Sequence, residues 1–171
     1  VAAYPDIARR IIAEGHEIGN HTWRHASLAS LGDESVMREI DRTTEVIWRA
    51  TATIPHSLRP PYGAISQRQI GLIHRASNLP TVMWSVDTQD WRRPGAAVVA
   101  SRVIDGAERG AIILAHDIHA PTIEAMPAAL DGMIARGFTS ITMSDLLGFP
   151  DGYDRIAARA PAATGAFPAL Q

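Results

Sequence analysis

Two histidines four positions apart, in His21-Thr22-Trp23-Arg24-His25, are the residues of this chain best suited to chemistry. On one helical turn both imidazoles would lie on the same side and could reach one metal ion. Three more polar clusters follow: Arg59-Pro60-Pro61-Tyr62-Gly63, Asp87-Thr88-Gln89-Asp90-Trp91 and Leu114-Ala115-His116-Asp117. Each follows or ends an apolar run that reads as a strand. In a parallel α/β architecture, strand ends of this kind gather active-site loops, so the clusters are expected to meet in one pocket.

Each cluster has a chemical reading and a plain one. Neutral imidazoles suit Zn²⁺ or Co²⁺, and three protein ligands would leave an open position for a water that a hydrolase must activate. The plain reading of His21 and His25 is a helix cap or packing against Trp23. Arg59 precedes two prolines that hold the backbone extended, a preset geometry that suits a carboxylate partner; the alternative is a surface turn with a solvated guanidinium. Asp87, Asp90 and Trp91 leave one strand together, where a carboxylate can orient a histidine and an aromatic ring can wall a sugar site. Their alternative is a helix-capping Asp and a core Trp. His116 ends the Ile112-Ile113-Leu114 run, and its pKa range suits protonation of a departing amine. His119 and Asp117 are expected to play supporting parts at most, and His16, His56 and His74 to be structural or exposed.

These residues need elements to position them, and the apolar spacing alternates between helical and strand periods, which predicts an α/β fold with parallel strands. Helices are expected over 5–14, 33–49, 66–76, 94–108 and 121–136. Pro5 near the first turn, Gly15 and Gly137 past helix ends, and Asp33 as a cap mark their limits. Strands are expected over 16–19, 81–86, 111–114 and 138–143, with 53–58 leading into the Arg-Pro-Pro turn. The run 81–86 is apolar enough to be buried on both faces. Residues 1–150 read as one partial catalytic domain, and 151–171, rich in Ala and Pro, as a weakly ordered tail.

Composition narrows the function classes. With 16 basic and 18 acidic residues and a net charge of −2, nothing marks a nucleic-acid or anionic-membrane surface. Hydrophobic residues make up 46% of the chain, enough for a real core, yet no apolar run reaches the roughly 18 residues of a membrane span. There is no Cys, so any metal must be held by His, Asp or Glu. A metalloprotease would carry Glu directly after the first His, where this chain has Thr22.

Taken in order, the four clusters resemble motifs of the polysaccharide deacetylases of carbohydrate esterase family 4, the NodB homology domain. The resemblance runs from residue 21 to residue 117 and implies a distorted (β/α) barrel whose first strands and helix are missing here. It implies that His21 and His25 are metal ligands, with Zn²⁺ first and Co²⁺ second as the ion. It makes His116 the general acid, Asp90 its steadying carboxylate and Arg59 the partner of a catalytic Asp. Tyr62 would supply an oxyanion-binding main-chain N–H, while Trp91 and Leu114 would line the acetyl or sugar pocket. The family's remaining motif, an Asp-Asp pair holding the base and the third ligand, is absent, since no Asp-Asp occurs in the sequence. The expected protein is thus an upstream-truncated deacetylase of N-acetylated glycans, inactive alone and secreted or at the cell surface. The alternatives are an acetylxylan esterase and a non-catalytic glycan binder.

Overall fold

Pro5 supplies the preset φ of a first helical turn, and α1 runs from there over Pro5–Ala13, with Gly15 at φ 83 just beyond its end. The computed structural model describes residues 1–149, and the expected tail at 151–171 lies outside them. The chain divides into two compact units, one made of Val1–Thr81 with the stretch from Met143, the other of Val82–Thr142.

In the first unit, α2 (Asp33–Thr51) buries Val36, Glu39, Ile40, Thr43 and Ile47 along one face. Gly32 occupies the cap position that the sequence suggested for Asp33. Asp33 and Glu34 instead fall in the first turn, where carboxylates complement the unpaired N–H groups. The third helix, α3 (Gln67–Ser77), opens with a reciprocal capping box between Ser66 and Gln69. Gln69 is itself buried, and its amide donates to the carbonyls of Leu28 (2.6 Å) and Leu31 (3.0 Å), fixing the loop before α2 onto α3. Asn20, Leu58 and Thr81 form successive parallel bridges. Leu28, Val36, Ile40, Leu58, Ile73 and Leu79 close the core around them.

In the second unit, β1 (Val86–Asp87) pairs in parallel with β2 (Ile113–Leu114), Val86 opposite Ile113 and Asp87 opposite Leu114. Between them in sequence lies α4 (Ala96–Gly106); α5 (Ala120–Ala135) follows β2. Val99, Ala100 and Val103 of α4 pack on Ala125 and Ala129 of α5. Glycines bring α4 close to both neighbours: a Cβ at Gly132 of α5 would stand 2.4 Å from Ile104 Cδ1, and one at Gly106 would stand 2.4 Å from Val86 Cγ1 of β1.

Helices fall where the periodicity places them, but strands are shorter. Residues 16–19 form no ladder of their own beyond the bridge at Asn20. The run 81–86 is not buried on both faces: Met83 is 42% exposed, and regular pairing begins only at Val86. The N–H groups of Ser85 and Val86 both donate to Ile112 O, and Ser85 Oγ accepts from Ile112 N, a bulge-like arrangement that interrupts the ladder. The expected strand over 138–143 is absent among the described residues. Ile141 is 59% exposed there, and Met143 already begins a short helix, α6 (Met143–Leu146).

Candidate active site

In the first unit, Asn20 delivers the histidine segment. Its main chain bridges that of Ser57 and Arg59, its amide donates to Ile40 O and Thr44 Oγ1, and its Oδ1 accepts the Thr22 N–H at 3.0 Å. With all its polar atoms engaged, this amide can be buried without penalty.

His21 to His25 is not the helical turn that the spacing suggested. It is an irregular loop in which Thr22 (φ 67) and His25 (φ 57) hold left-handed backbone. The reason lies in where its N–H groups go. Asn20 takes the first, and Glu39 of α2 takes the next two, its Oε2 accepting from Trp23 N at 2.9 Å and Arg24 N at 2.8 Å. Side-chain acceptors thereby replace the helical carbonyls. Burial pushes the Glu39 carboxyl up, but the N–H groups of Arg24 and Trp23 and the Arg24 guanidinium outweigh it and hold it below its ordinary value.

The loop still places the imidazoles together, with ring centroids 4.9 Å apart. His21 Nδ1 donates to Arg59 O at 2.5 Å, so the neutral form of the ring carries its proton on Nδ1. His25 Nδ1 lies 3.1 Å from the Tyr62 hydroxyl, its ring edge-on to the tyrosine. Imidazoles in their neutral form suit Zn²⁺ or Co²⁺, and the carbonyl beside one ring and the hydroxyl beside the other are the kind of supporting contact that orients such ligands. No third His, Cys, Asp or Glu joins them among the described residues. Beside His21 lies a cavity of about 360 Å³, also lined by Ile18, Gly19, Thr22, Trp23 and Ile47. The Thr22 hydroxyl is buried there without a hydrogen-bond partner.

Arg59 and Tyr62 belong to the same unit. Pro60 keeps the chain extended (φ −71, ψ 138) before a short 3₁₀ turn over Pro61–Gly63, in which Tyr62 sits at φ 60. The Arg59 side chain is half-buried, burial lowers its pKa, and no carboxylate among the described residues pairs with it. A desolvated guanidinium without a counter-charge is a ready carboxylate receptor.

In the second unit, Asp90 is 1% exposed and accepts four hydrogen bonds. Its Oδ1 takes Trp91 N (2.9 Å) and His116 Nδ1 (2.8 Å); its Oδ2 takes His116 N (2.5 Å) and Thr122 Oγ1 (3.0 Å). Burial raises its pKa, yet the donors, led by the His116 side chain, bring it below the ordinary carboxyl value. Asp90 therefore orients the imidazole rather than capping a helix. The loop that carries it is bracketed by left-handed Gln89 (φ 51) and Arg93 (φ 55), and Asp87 stabilises it by accepting the Gln89 N–H. Trp91 is half exposed, with the Arg92 guanidinium over its ring; it is not a core residue. Leu114 is only 8% exposed, and its carbonyl accepts from Thr88 Oγ1. His119 holds the N-cap position of α5, its ring 6.4 Å from that of His116.

The family follows from comparison with known proteins. The chain is 33% identical to a chitooligosaccharide deacetylase of Bradyrhizobium sp. (strain ANU 289), an alignment covering 81% of this chain and 69% of that protein. This chain belongs to the polysaccharide deacetylase family. Residues 1–78 match the family model described as polysaccharide deacetylase. A solved structure described as T48 deacetylase with substrate superposes with a TM-score of 0.81 at 34% identity, covering 88% of this chain and 73% of that one. The α/β fold of NodB type is thus shared with solved polysaccharide deacetylases. Peptidoglycan-N-acetylglucosamine deacetylase PgdA of Listeria monocytogenes is 34% identical over 84% of this chain, which spans only 30% of that protein's length.

Three residues that position the histidine-bearing loops and the Asp90–His116 pair were not singled out from the sequence alone: Asn20, Glu39 and Thr122. Glu39 did carry a signal, because it falls on the buried stripe of α2 between Val36 and Ile40, where an acidic residue needs a reason. Thr122 carried none.

Proposed function

We propose that this chain supplies the histidine, arginine and acid groups of a metal-dependent deacetylase acting on N-acetylated sugar polymers, with peptidoglycan N-acetylglucosamine or chitin oligomers as substrate. The bond cleaved is the carbon–nitrogen bond of the acetamido group, not a peptide bond. The observation that carries this reading is the buried Asp90 carboxylate clamped on His116 in a chain of the polysaccharide deacetylase family.

His21 and His25 would hold the divalent ion, Zn²⁺ or Co²⁺, through ring nitrogens. The ion, when bound, polarises the acetyl carbonyl and lowers the pKa of a water. Arg59 would pair with the carboxylate that accepts that water's proton, and the main-chain N–H at Tyr62 would face the developing oxyanion. His116, protonated on both nitrogens, keeps Nδ1–H on Asp90 and gives its Nε2 proton to the departing sugar nitrogen, yielding acetate and a free amine. Trp91 offers an exposed ring face suited to a sugar. No Asp-Asp pair occurs in the 171 residues, so a form of the protein extended upstream is the form expected to turn over. Polymers of this kind lie outside the cytoplasm, which favours a secreted or cell-surface protein.

The test is acetate release from N-acetylglucosamine oligomers with added Zn²⁺ or Co²⁺, comparing this chain, an upstream-extended form and its His116→Ala variant. Release by the extended form alone, lost on His116→Ala, is the expected result. Release by neither form refutes the reading and favours O-acetylated xylan or non-catalytic glycan binding. Release by the short chain refutes the assignment of the base and third ligand to upstream residues.

A further inference from the structure

Threonines within helices commonly turn their hydroxyl onto the carbonyl one turn back. Among the described residues, Thr43 Oγ1 donates to Glu39 O at 2.9 Å and Thr51 Oγ1 to Ile47 O at 2.8 Å. Thr122 does not. It sits in the first turn of α5, 2% exposed, with its N–H already satisfied by His119 O at 2.9 Å, and its hydroxyl reaches Asp90 Oδ2 at 3.0 Å.

That bond completes a symmetrical arrangement around a buried carboxylate. Each oxygen accepts one main-chain N–H, from Trp91 on Oδ1 and from His116 on Oδ2. Each also accepts one side-chain donor, the His116 imidazole on Oδ1 and the Thr122 hydroxyl on Oδ2. The Thr122 hydroxyl comes from a different element and opposes the pull of the imidazole across the carboxylate. Without it, Oδ2 keeps only the His116 N–H, and both remaining side-chain and main-chain contacts of His116 draw the carboxylate to one side with no side-chain donor opposing them.

We propose that Thr122 is a positioning residue for the Asp90–His116 pair. By fixing the carboxylate plane it holds the His116 proton on Nδ1 and leaves Nε2 as the nitrogen that exchanges a proton with substrate. The proton-transfer role of His116 rests on the deacetylase reading above; the positioning itself does not. Neutral imidazole in water favours the Nε2–H form, so a dominant Nδ1–H form at His116 requires an acceptor held in place.

The test uses the full chain labelled with ¹⁵N-histidine and long-range ¹H–¹⁵N spectra recorded above the imidazole titration, with the His116 signals assigned by their loss in His116→Gln. The unsubstituted chain is expected to show mainly Nδ1–H at His116. Thr122→Val, nearly equal in volume but without the hydroxyl, is expected to shift the ratio severalfold toward Nε2–H. Thr122→Ser, which keeps the hydroxyl and loses the methyl, is expected to stay within about twofold of the parent. A folded Thr122→Val chain with an unchanged ratio overturns the proposal, and so does Thr122→Ser behaving like Thr122→Val, which would make the methyl the important group. Should Thr122→Val fail to fold, the parent chain decides: a slowly exchanging Thr122 hydroxyl proton supports the proposal, and its absence overturns it. None of these readouts involves substrate or metal. Loss of the deacetylase reading would therefore appear as absent acetate release beside an intact Nδ1–H signal.

Discussion

Replacing Glu39 by alanine removes an acceptor that is 3% exposed and that satisfies two loop N–H groups, Trp23 at 2.9 Å and Arg24 at 2.8 Å. Hydrogen bonds to a charged group contribute about 1.5–3 kcal/mol each, and stranding their donors away from water adds to the loss. The ion pair with Arg24 adds little, because that guanidinium is 70% exposed and a pair of this kind contributes about 0–1 kcal/mol. The expected order of destabilisation is therefore Glu39→Ala at about 3–6 kcal/mol, Glu39→Gln at about 1–2 and Arg24→Ala below about 1. Urea unfolding at neutral pH, followed by tryptophan fluorescence, measures all three. The pH dependence gives a second check. The Glu39 carboxyl is held below its ordinary 4.5, so its contribution is present above that value and is lost as pH falls through the lower folded-state value. Glu39→Gln should flatten this acid-side loss. Arg24→Ala as costly as Glu39→Ala, or Glu39→Ala within about 1 kcal/mol of the parent, would refute the reasoning, because the ion pair rather than the main-chain clamp would then hold the loop.

Asp90→Asn puts an NH₂ group against donors already pointing at the carboxylate; in an active extended form it should lower kcat by about 100-fold or more, measured as acetate release. Asp90 is also held below its ordinary 3.8, so its stability contribution is expected above that value and to fade as pH drops further, an acid-side loss that Asp90→Asn should remove. Gly106→Ala forces a Cβ against Val86 and should cost about 1–3 kcal/mol in denaturant unfolding, with no change in metal binding. Calorimetric titration with Zn²⁺ should show binding that either His21→Ala or His25→Ala weakens by at least tenfold, and a binding curve unmoved by both would refute the ligand assignment.

The helices and the histidine, arginine and aspartate clusters were legible because they rest on local signals: 3.6-residue spacing, Pro5 at a helix start, Gly15 past an end, and polar residues closing apolar runs. The loop conformations were not. Nothing local at His21–His25 argues against a helical turn. The segment departs from one because Asn20 and Glu39 withdraw its N–H groups, and Glu39 is 15 and 16 residues distant along the chain from the groups it takes. Strand length failed for a related reason. The run 81–86 has the composition of a buried strand, yet pairing depends on Ile112, whose carbonyl is shared by two successive N–H groups. Hydrophobicity reports which residues seek burial; it does not report where a ladder will be interrupted.

Both units solve the same problem in the same way. Each presents a histidine from, or beside, a loop with non-glycine residues at positive φ: Thr22 and His25 in one, Gln89 and Arg93 in the other. Such residues cost on the order of 1 kcal/mol each and persist only where surrounding contacts over-determine them. In each unit the contact is a buried carboxylate that gathers main-chain N–H groups, Glu39 with Trp23 and Arg24, and Asp90 with Trp91 and His116. Where the two differ is in the histidine. Glu39 holds the backbone between the two imidazoles through Trp23 N and Arg24 N, so its loss should disturb ring spacing while leaving each ring's own hydrogen bond, to Arg59 O or the Tyr62 hydroxyl, available. Asp90 holds both the backbone and the ring of His116, so a change there acts on position and proton together. On these grounds substitutions at Glu39 should act first on metal affinity and stability, and substitutions at Asp90 first on the pH dependence of turnover.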